Sequence, residues 1–479
     1  MFSPTYTARV LEPAYRNWKA YFAEDIVSVH EAHLLGLVER GIVPRERGAV
    51  IARAIDGMRE SFSYPEAIPP GVEDLYFVYE RELGRRIGVE DAAYLHTARS
   101  RNDMDTTVFR MALRRALLAF EEDGIALAEA LAARARRGSG ELTVLYTHGQ
   151  PANVSTMGHY LSAFAGDVVG GLEALAEAVR AVDRSTMGAC AITGTGFPLD
   201  RGAVAARLGF PSFIANAYEA ITTSHWLTRP AAAVEALLQD CTRLAADLSH
   251  KASCEVGLVT FPDSLVQSSS IMPQKRNPVI LEHARIQAGL ASGRCAAIRN
   301  LYHSAPYQDV NEAADAPVTE LLQAISLASS AVDLVREIAE NVGSDEARAR
   351  EISSAYGVTA TELADTMVRK AGVGFRLAHE ACSRFVSAGN DPEALRTAFL
   401  ELTGRQLPFD DAEIDEILSP ERFIQVRTLP GGPSEEGMAL VFGELEARIA
   451  ALRSGLSSAR AAALAASERL AADWRELSR

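Results

Sequence analysis

The chain has little lysine. Of its 48 basic residues, 44 are arginines, and the lysines are Lys19, Lys251, Lys275 and Lys370. The two cations are not interchangeable, because lysine carries a compact ammonium and arginine a planar fork of donors. A chain that uses arginine almost everywhere but keeps a lysine inside a short polar loop, as at Lys275, is predicted to need an ammonium there.

Several other features are scarce or absent. No run of about 20 apolar residues is present, which argues against a membrane span. Residues 1–20 have no basic start followed by an apolar segment, so no secretory signal is expected. No Gly-x-Gly-x-x-Gly follows a predicted strand, which disfavours a dinucleotide-binding oxidoreductase. The few cysteines lack metal or redox spacing and are expected to be free thiols in the cytoplasm. They are Cys190, Cys241, Cys254, Cys295 and Cys382.

The net charge is −15. No basic stripe offsets it, so nucleic acid is not an expected partner. An anionic substrate would be repelled by the field of the whole protein, and its site must therefore supply local positive charge. Arg101, Lys275 and the N-termini of helices are the candidates.

Most of the chain is predicted to be helical, with a mainly α fold. Long Ala/Leu-rich stretches carry apolar residues at three- and four-residue spacing on more than one face, which indicates helices buried on several sides. They span 105–137, 155–183, 224–255, 279–299 and 316–343. Helix breakers concentrate at 62–72, 185–213 and 405–435. We predict an N-terminal helical domain at 1–104, a central long-helix bundle at 105–355 and a small helical domain at 356–479.

The most informative segment is Ser-Ser-Ser-Ile-Met-Pro-Gln-Lys-Arg-Asn-Pro at 268–278. It combines hydroxyls, a lysine and an asparagine in one short stretch. Asn277 is predicted to cap a helix whose first residue is Pro278. A serine loop leading into a helix N-terminus suits a carboxylate ligand. The competing interpretation of three serines alone is an ordinary loop.

Two further clusters precede long helices. His-Thr-Ala-Arg-Ser-Arg-Asn-Asp at 96–103 places the donors of Ser100, Arg101 and Asn102 before a helix, where they can hold a carboxylate. An ordinary polar helix cap is the alternative. Tyr-Thr-His-Gly-Gln at 146–150 contains His148, and a lone histidine is more often structural than catalytic.

Together these clusters resemble a known family. Segment 268–278 is similar to the Gly-Ser-Ser-x-x-Pro-x-Lys-x-Asn-Pro signature of the fumarase/aspartase superfamily, with Ser268 in place of glycine. Segments 96–104 and 146–150 resemble the argininosuccinate lyase branch, with Ala98 replacing glycine and Met104 replacing glutamine. The similarity also takes in 194–201, 361–370 and 379–380, and so covers nearly the full length.

The resemblance implies a homotetramer with a shared central helix bundle and sites built from several subunits. It implies a lyase without cofactor or metal that releases fumarate from a small dicarboxylate. Ser269 would be the base, Lys275 would stabilise its alkoxide, and His148 would pair with Glu282 to handle the proton of the leaving nitrogen. The substrate would be bound by Ser100, Arg101, Asn102, Thr147, Met272, Asn277 and Gln308.

Departures from the pattern of the branch concentrate in the residues expected to contact the amine half of the substrate. Its Ser-Asp-Arg-Asp segment is Thr-Thr-Ser-His at 222–225, Asn311 replaces a glutamine and Ala314 replaces a lysine. We therefore expect an N-substituted aspartate with an amine other than arginine, as in ethylenediamine-disuccinate lyase. Argininosuccinate lyase proper is the alternative. A non-catalytic, crystallin-like scaffold is a third, against which the retained catalytic set argues.

Overall fold

Short helices precede the central bundle and pack against it. The computed structural model describes residues 2–479. A π-helical turn at Thr7–Leu11 and a 3₁₀ turn at Tyr94–His96 accompany these helices. The short helices are α1 (Pro4–Tyr6), α2 (Glu12–Tyr21), α3 (Ala23–Glu39), α4 (Arg45–Ser61), α5 (Leu75–Ile87) and α6 (Val89–Ala93).

The five long helices of the centre are confirmed, with ends within four residues of those predicted. The fold is mainly α, and its few strands form two-stranded pairs. The elements in chain order are α7 (Arg101–Arg137), β1 (Leu142–Thr147), β2 (Gln150–Thr156), α8 (Met157–Val182), α9 (Arg201–Arg207), α10 (Ala217–Thr222), α11 (His225–Lys251), β3 (Val259–Thr260), β4 (Gln267–Ser268), β5 (Arg276–Asn277), α12 (Val279–Leu301), α13 (Asp315–Asn341) and β6 (Gly343–Ser344).

Hydrogen bonds between helix ends fix the direction of each bundle helix. The start of α7 contacts the end of α8, and the end of α11 contacts the strand that follows α7. We call the end of the bundle where α7 begins the near end, and the opposite one the far end. Helices α7, α11 and α13 run from near to far, and α8 and α12 run back. The bonds are Arg110–Ala181, Lys251–Val144, Arg285–Ser249 and Arg134–Val342.

Burial on several faces explains why these helices are so apolar. A continuous core runs through the bundle and into α2, α3, α4 and α5. Helix α13 is long and apolar enough to cross a membrane by length and composition, but 56 % of its most apolar window is buried inside the protein. Its apolar residues therefore belong to the bundle core.

The C-terminal part divides into a small domain and a returning helix. The small domain has its own core, which includes Leu363, Phe385, Phe399 and Ile417. The predicted third domain at 356–479 also includes the last helix, which packs instead on α7, α8 and α4 of the main body. The elements are α14 (Glu346–Tyr356), α15 (Ala360–Thr366), α16 (Phe375–Ser387), α17 (Pro392–Thr403), α18 (Asp411–Leu418), α19 (Pro420–Gln425) and α20 (Glu435–Ser478), with a π-helical turn at Met367–Ala371.

The far end packs tightly where α8 starts beside the end of α7. A Cβ on Gly158 would lie 2.7 Å from the carbonyl oxygen of Ala135 and 2.8 Å from the Cα of Ser139. Backbone atoms cannot move aside as a side chain can, so Gly158→Ala should cost about 2 kcal/mol by overpacking and lower the midpoint of thermal unfolding. Gly170→Ala in the same helix meets only an arginine tip at 3.8 Å and should raise the midpoint slightly. Equal midpoints for the two variants would contradict this packing.

Candidate active site

At the near end, residues 98–103 form a tight turn that starts α7. Ser100 is the N-cap of the helix and makes a reciprocal capping box with Asp103. Asp103 is fully buried and accepts from the backbone N–H groups of Ser100, Gly188 and Cys190 at 2.8–2.9 Å. Ala98 has φ 61°, in the left-handed region that glycine adopts without cost. This explains why the family pattern has glycine there.

Arg101 is held by carboxylates of its own chain. It donates to Asp74 at 2.5 Å and to both oxygens of Asp105, at 3.2 and 2.8 Å. Burial raises the pKa of Asp105 to about 6, against the opposing effect of Arg101. Two carboxylates on one guanidinium leave no net positive charge, so Arg101 does not by itself supply the cation expected at this site.

Asn102 joins the turn to the segment before α13. Its amide donates to Asp309 at 2.9 Å, and Tyr218 of α10 donates to the carbonyl of Tyr307. The segment with Asn311 and Ala314, which depart from the family pattern, therefore lies against the donors predicted to bind a substrate carboxylate.

A cavity of about 500 Å³ lies between these elements. Arg101 and Asn102 line it together with Ala314, and carboxylates dominate its charge. Its acidic residues are Glu73, Asp74, Asp105, Asp309 and Asp315. Asp74 and Asp309 were not among the predicted site residues, because nothing in the sequence joins positions so distant from the motif at 96–103.

At the far end, His148 occupies the turn of a β-hairpin. Strands β1 and β2 pair antiparallel, and Thr147 pairs with Gln150, which leaves a two-residue turn of His148 and Gly149. Both have positive φ, 54° and 74°, as a type I′ turn requires. The hairpin was not predicted, although the His-Gly pair after alternating apolar residues was a usable signal. A strained non-glycine turn residue presents the imidazole at an exposed tip.

The serine motif forms a seven-residue loop closed by a short ladder. Strand β4 pairs with β5 so that Ser268 lies opposite Arg276, which places Ser269 and Lys275 side by side at the base of the loop. The Oγ of Ser269 accepts hydrogen bonds from the backbone N–H groups of Met272 at 3.0 Å and Ile271 at 3.4 Å. Lys275 is exposed.

The predicted helix cap at Asn277 is wrong. Helix α12 begins at Val279, its N-cap is Pro278, and no side chain caps it. Asn277 instead pairs with Gln267 in the ladder that closes the serine loop. The backbone of Asn277 is extended there, and Pro278 is not helical because its ψ is 63°.

The predicted residues therefore lie in two groups at opposite ends of the bundle. Helix α7 has 37 residues, so its ends are about 55 Å apart at 1.5 Å per residue. No hydrogen bond or ion pair within residues 2–479 joins His148 to Glu282, and both are exposed. The near group is Ser100, Arg101, Asn102 and Gln308; the far group is Thr147, His148, Ser269, Met272, Lys275, Asn277 and Glu282.

Sequence comparisons match almost the whole chain. The family described as Lyase matches residues 15–293, and the family described as Argininosuccinate lyase C-terminal matches residues 357–425. Argininosuccinate lyase 2 of Agrobacterium fabrum is 37 % identical over 461 residues, which cover 94 % of this chain and 92 % of the relative. Argininosuccinate lyase of Methanothermobacter thermautotrophicus is 30 % identical over 435 residues, covering 88 % and 92 %.

Solved structures share the same architecture. A variant of EDDS lyase with bound fumarate superposes with a TM-score of 0.87 at 26 % identity, over 96 % of this chain and 92 % of the other. Class II fumarase from Schistosoma mansoni superposes with a TM-score of 0.64 at 14 % identity, over 85 % and 90 %. The second likeness concerns the fold alone.

Proposed function

The chain belongs to the argininosuccinate lyase branch of the fumarase/aspartase superfamily and is a fumarate-releasing carbon–nitrogen lyase, and from this premise we propose that it acts on an N-substituted aspartate through a serine base. The oxygen of Ser269 removes a proton from the carbon β to the nitrogen. The resulting negative charge spreads into the adjacent carboxylate. The C–N bond then breaks, the amine leaves with a proton, and fumarate remains.

The observation that carries this mechanism is the environment of Ser269. A serine hydroxyl is a poor base in water and must be activated. Two backbone N–H groups already point at its Oγ, at 3.0 and 3.4 Å. These donors stabilise an alkoxide more than a hydroxyl, because hydrogen bonds to an ionised acceptor are stronger. Lys275, at the base of the same loop, adds a positive charge.

Donors aimed at the developing dianion supply the largest catalytic effect in such a reaction. Lys275 and Asn277 from the serine loop, Thr147 from the hairpin and Asn102 from the near end are assigned this role. His148, paired with Glu282, protonates the leaving nitrogen or orients the group that does. Since a single chain does not make that pair, the two residues come from different copies.

The site is therefore shared between subunits of a homotetramer. The donors that start α7 and the base on the serine loop are separated by about 55 Å of continuous helix in one chain. A second copy packed with its bundle antiparallel to the first brings its far end beside the first copy's near end. Bundle faces with exposed apolar residues, such as Ile286 and Leu290 of α12, suit such packing.

The amine half of the substrate is assigned to the near-end cavity. Its carboxylates favour a cationic amine and oppose a carboxylate on that amine. The lysine of the branch is Ala314 here, and Arg101 is occupied by Asp74 and Asp105. Arginine carries its own carboxylate and would meet no free cation among these residues. A simple diamine therefore fits the cavity better than arginine does. Argininosuccinate lyase proper remains the second candidate, favoured by the relatives at 37 and 30 % identity.

Ser269→Ala should abolish turnover and leave the fold intact. Loss of a proton-transfer group typically lowers the rate by about 10²–10⁴-fold. The matched control is Ser270→Ala, since the neighbouring serine is exposed and is assigned no role. Fumarate formation is followed by ultraviolet absorbance. A folded Ser269→Ala enzyme with the turnover of Ser270→Ala would rule out the serine base, and equal loss in both would reassign the effect to the loop.

Mixing two inactive variants tests the shared site. Chains with Asn102→Ala and chains with Ser269→Ala should each be inactive, yet regain partial activity after co-refolding, because some sites then draw both intact residues from different chains. A chain carrying both substitutions, co-refolded with itself, is the control and should stay inactive. Mixed oligomers without activity, confirmed by mass spectrometry, would place both residues in a site of one chain.

The amine pocket is tested by substrate competition. We expect kcat/KM for fumarate addition to ethylenediamine or a longer diamine to exceed that for arginine, since the cavity supplies carboxylates and no free cation. N-(2-aminoethyl)aspartate, the adduct of ethylenediamine with fumarate, and argininosuccinate are compared in the elimination direction. If argininosuccinate gave the highest value by tenfold or more, the enzyme would be argininosuccinate lyase itself.

A further inference from the structure

A buried cation lies beneath the near-end turn. Arg99 is only 5 % exposed, and its Nη1 donates to Nδ1 of His30 at 2.9 Å. Its Nε has no hydrogen-bond partner among residues 2–479, and its guanidinium lies 5.8 Å from the ring of Tyr76. No carboxylate is in ion-pair distance of Arg99 anywhere in the described chain. A buried guanidinium is normally paired with a carboxylate, so this arrangement calls for an explanation.

The side chains that contact Arg99, those of His30 and Tyr76, are uncharged. Burial lowers the pKa of His30, His33 and His96, and the charge of Arg99 lowers each further. His33 donates from Nε2 to the carbonyl of Thr97 at 2.8 Å, which fixes the backbone of the turn. Burial raises the pKa of Asp103 in the turn, and the charge of Arg99 is one of the influences that oppose this rise. Its two oxygens are already taken by three backbone N–H groups.

We propose that Arg99 supplies the positive charge with which the near-end turn attracts a substrate carboxylate, and that His30 is its positioning residue. This inference rests on the proposed function, in which Ser100 and Asn102 contact the dicarboxylate. Arg101 is cancelled by two aspartates, whereas Arg99 is held by an uncharged acceptor. The charge of Arg99, on the residue before the N-cap of α7, therefore remains uncompensated by an ion pair, and the N-terminal N–H groups of the helix add to it.

The neutral state of His30 is central to this arrangement. An imidazole acceptor fixes the guanidinium by a hydrogen bond and does not cancel its charge. A glutamate in the same place would also fix it, but as an ion pair. The imidazole and the carboxylate therefore differ in their effect on anion binding. The carboxylate forms an ion pair that stabilises the fold but removes the attraction of Arg99 for an anion.

The test compares variants that keep or remove this charge. The dissociation constant of fumarate is measured by calorimetry at low ionic strength, together with KM and the midpoint of thermal unfolding. His30→Gln and Arg99→Lys keep the charge and should bind fumarate almost as the native enzyme does. His30→Glu and Arg99→Met remove it and should weaken binding about tenfold. His30→Glu should do so with an equal or higher midpoint of unfolding, which a purely structural role would not produce.

Arg110→Met is the matched control. Like Arg99, Arg110 of α7 is a buried arginine without an ion pair within residues 2–479, and it donates to the carbonyls of Ala181 and Val182. It lies about 14 Å further along the helix than Arg101. Its loss should lower the midpoint of unfolding and leave fumarate binding unchanged.

The outcomes separate this inference from the proposed function. Fumarate binding within twofold of the native value in His30→Glu or Arg99→Met overturns the role of Arg99 while the lyase assignment survives. If neither variant folds, the Arg99–His30 bond is structural and the inference also fails. A native enzyme that neither binds nor releases fumarate overturns the proposed function itself.

Discussion

The unbroken length of α7 is the constraint on which the rest of the structure depends. Its 37 residues contain no proline, and it packs against α8, α13 and α20 along its course. A helix of this length holds the turn at its start and the hairpin after its end at a fixed separation of about 55 Å. Neither end has the complete chemistry of an elimination. The near end has the donors and the cavity, and the far end has the serine loop and the exposed histidine.

The charged side chains of the near end differ in what surrounds them. Within a chain of net charge −15, the near-end turn contains two arginines with opposite surroundings. Arg101 faces Asp74 and Asp105, whereas Arg99 faces neutral imidazoles and phenols. Ion pairs cancel the field of Arg101, whereas a neutral acceptor leaves the field of Arg99 available to a ligand. Local surroundings, and not the overall charge, therefore decide whether this region can hold an anion.

The sequence predicts the long helices well, because their Ala/Leu periodicity is strong and few breakers interrupt it. It predicts the serine loop from residue chemistry, but not the ladder that closes it, since two-residue strands have no periodicity to detect. That ladder is the reason Asn277 is extended and does not cap α12. The pairing of Arg101 with Asp74 is also beyond the sequence pattern, because it depends on where the N-cap of α5 lies relative to the start of α7. The sequence pattern likewise places the last helix in the small domain, because the periodicity of a helix does not show which other helices it packs against.

The residues that depart from the pattern of the branch lie at the near end, away from the serine loop. Residues 222–225 join the end of α10 to the start of α11, and residues 306–314 precede α13, both at the near end. Ser269, the proposed base, and Lys275 belong to a loop at the far end with its own closing ladder and its own backbone donors. Substitutions at the first two segments therefore reshape the amine cavity without moving the groups that remove the proton. In the proposed shared site, the cavity and Ser269 meet only when different copies assemble, so the amine half can vary while the chemistry of fumarate release stays fixed.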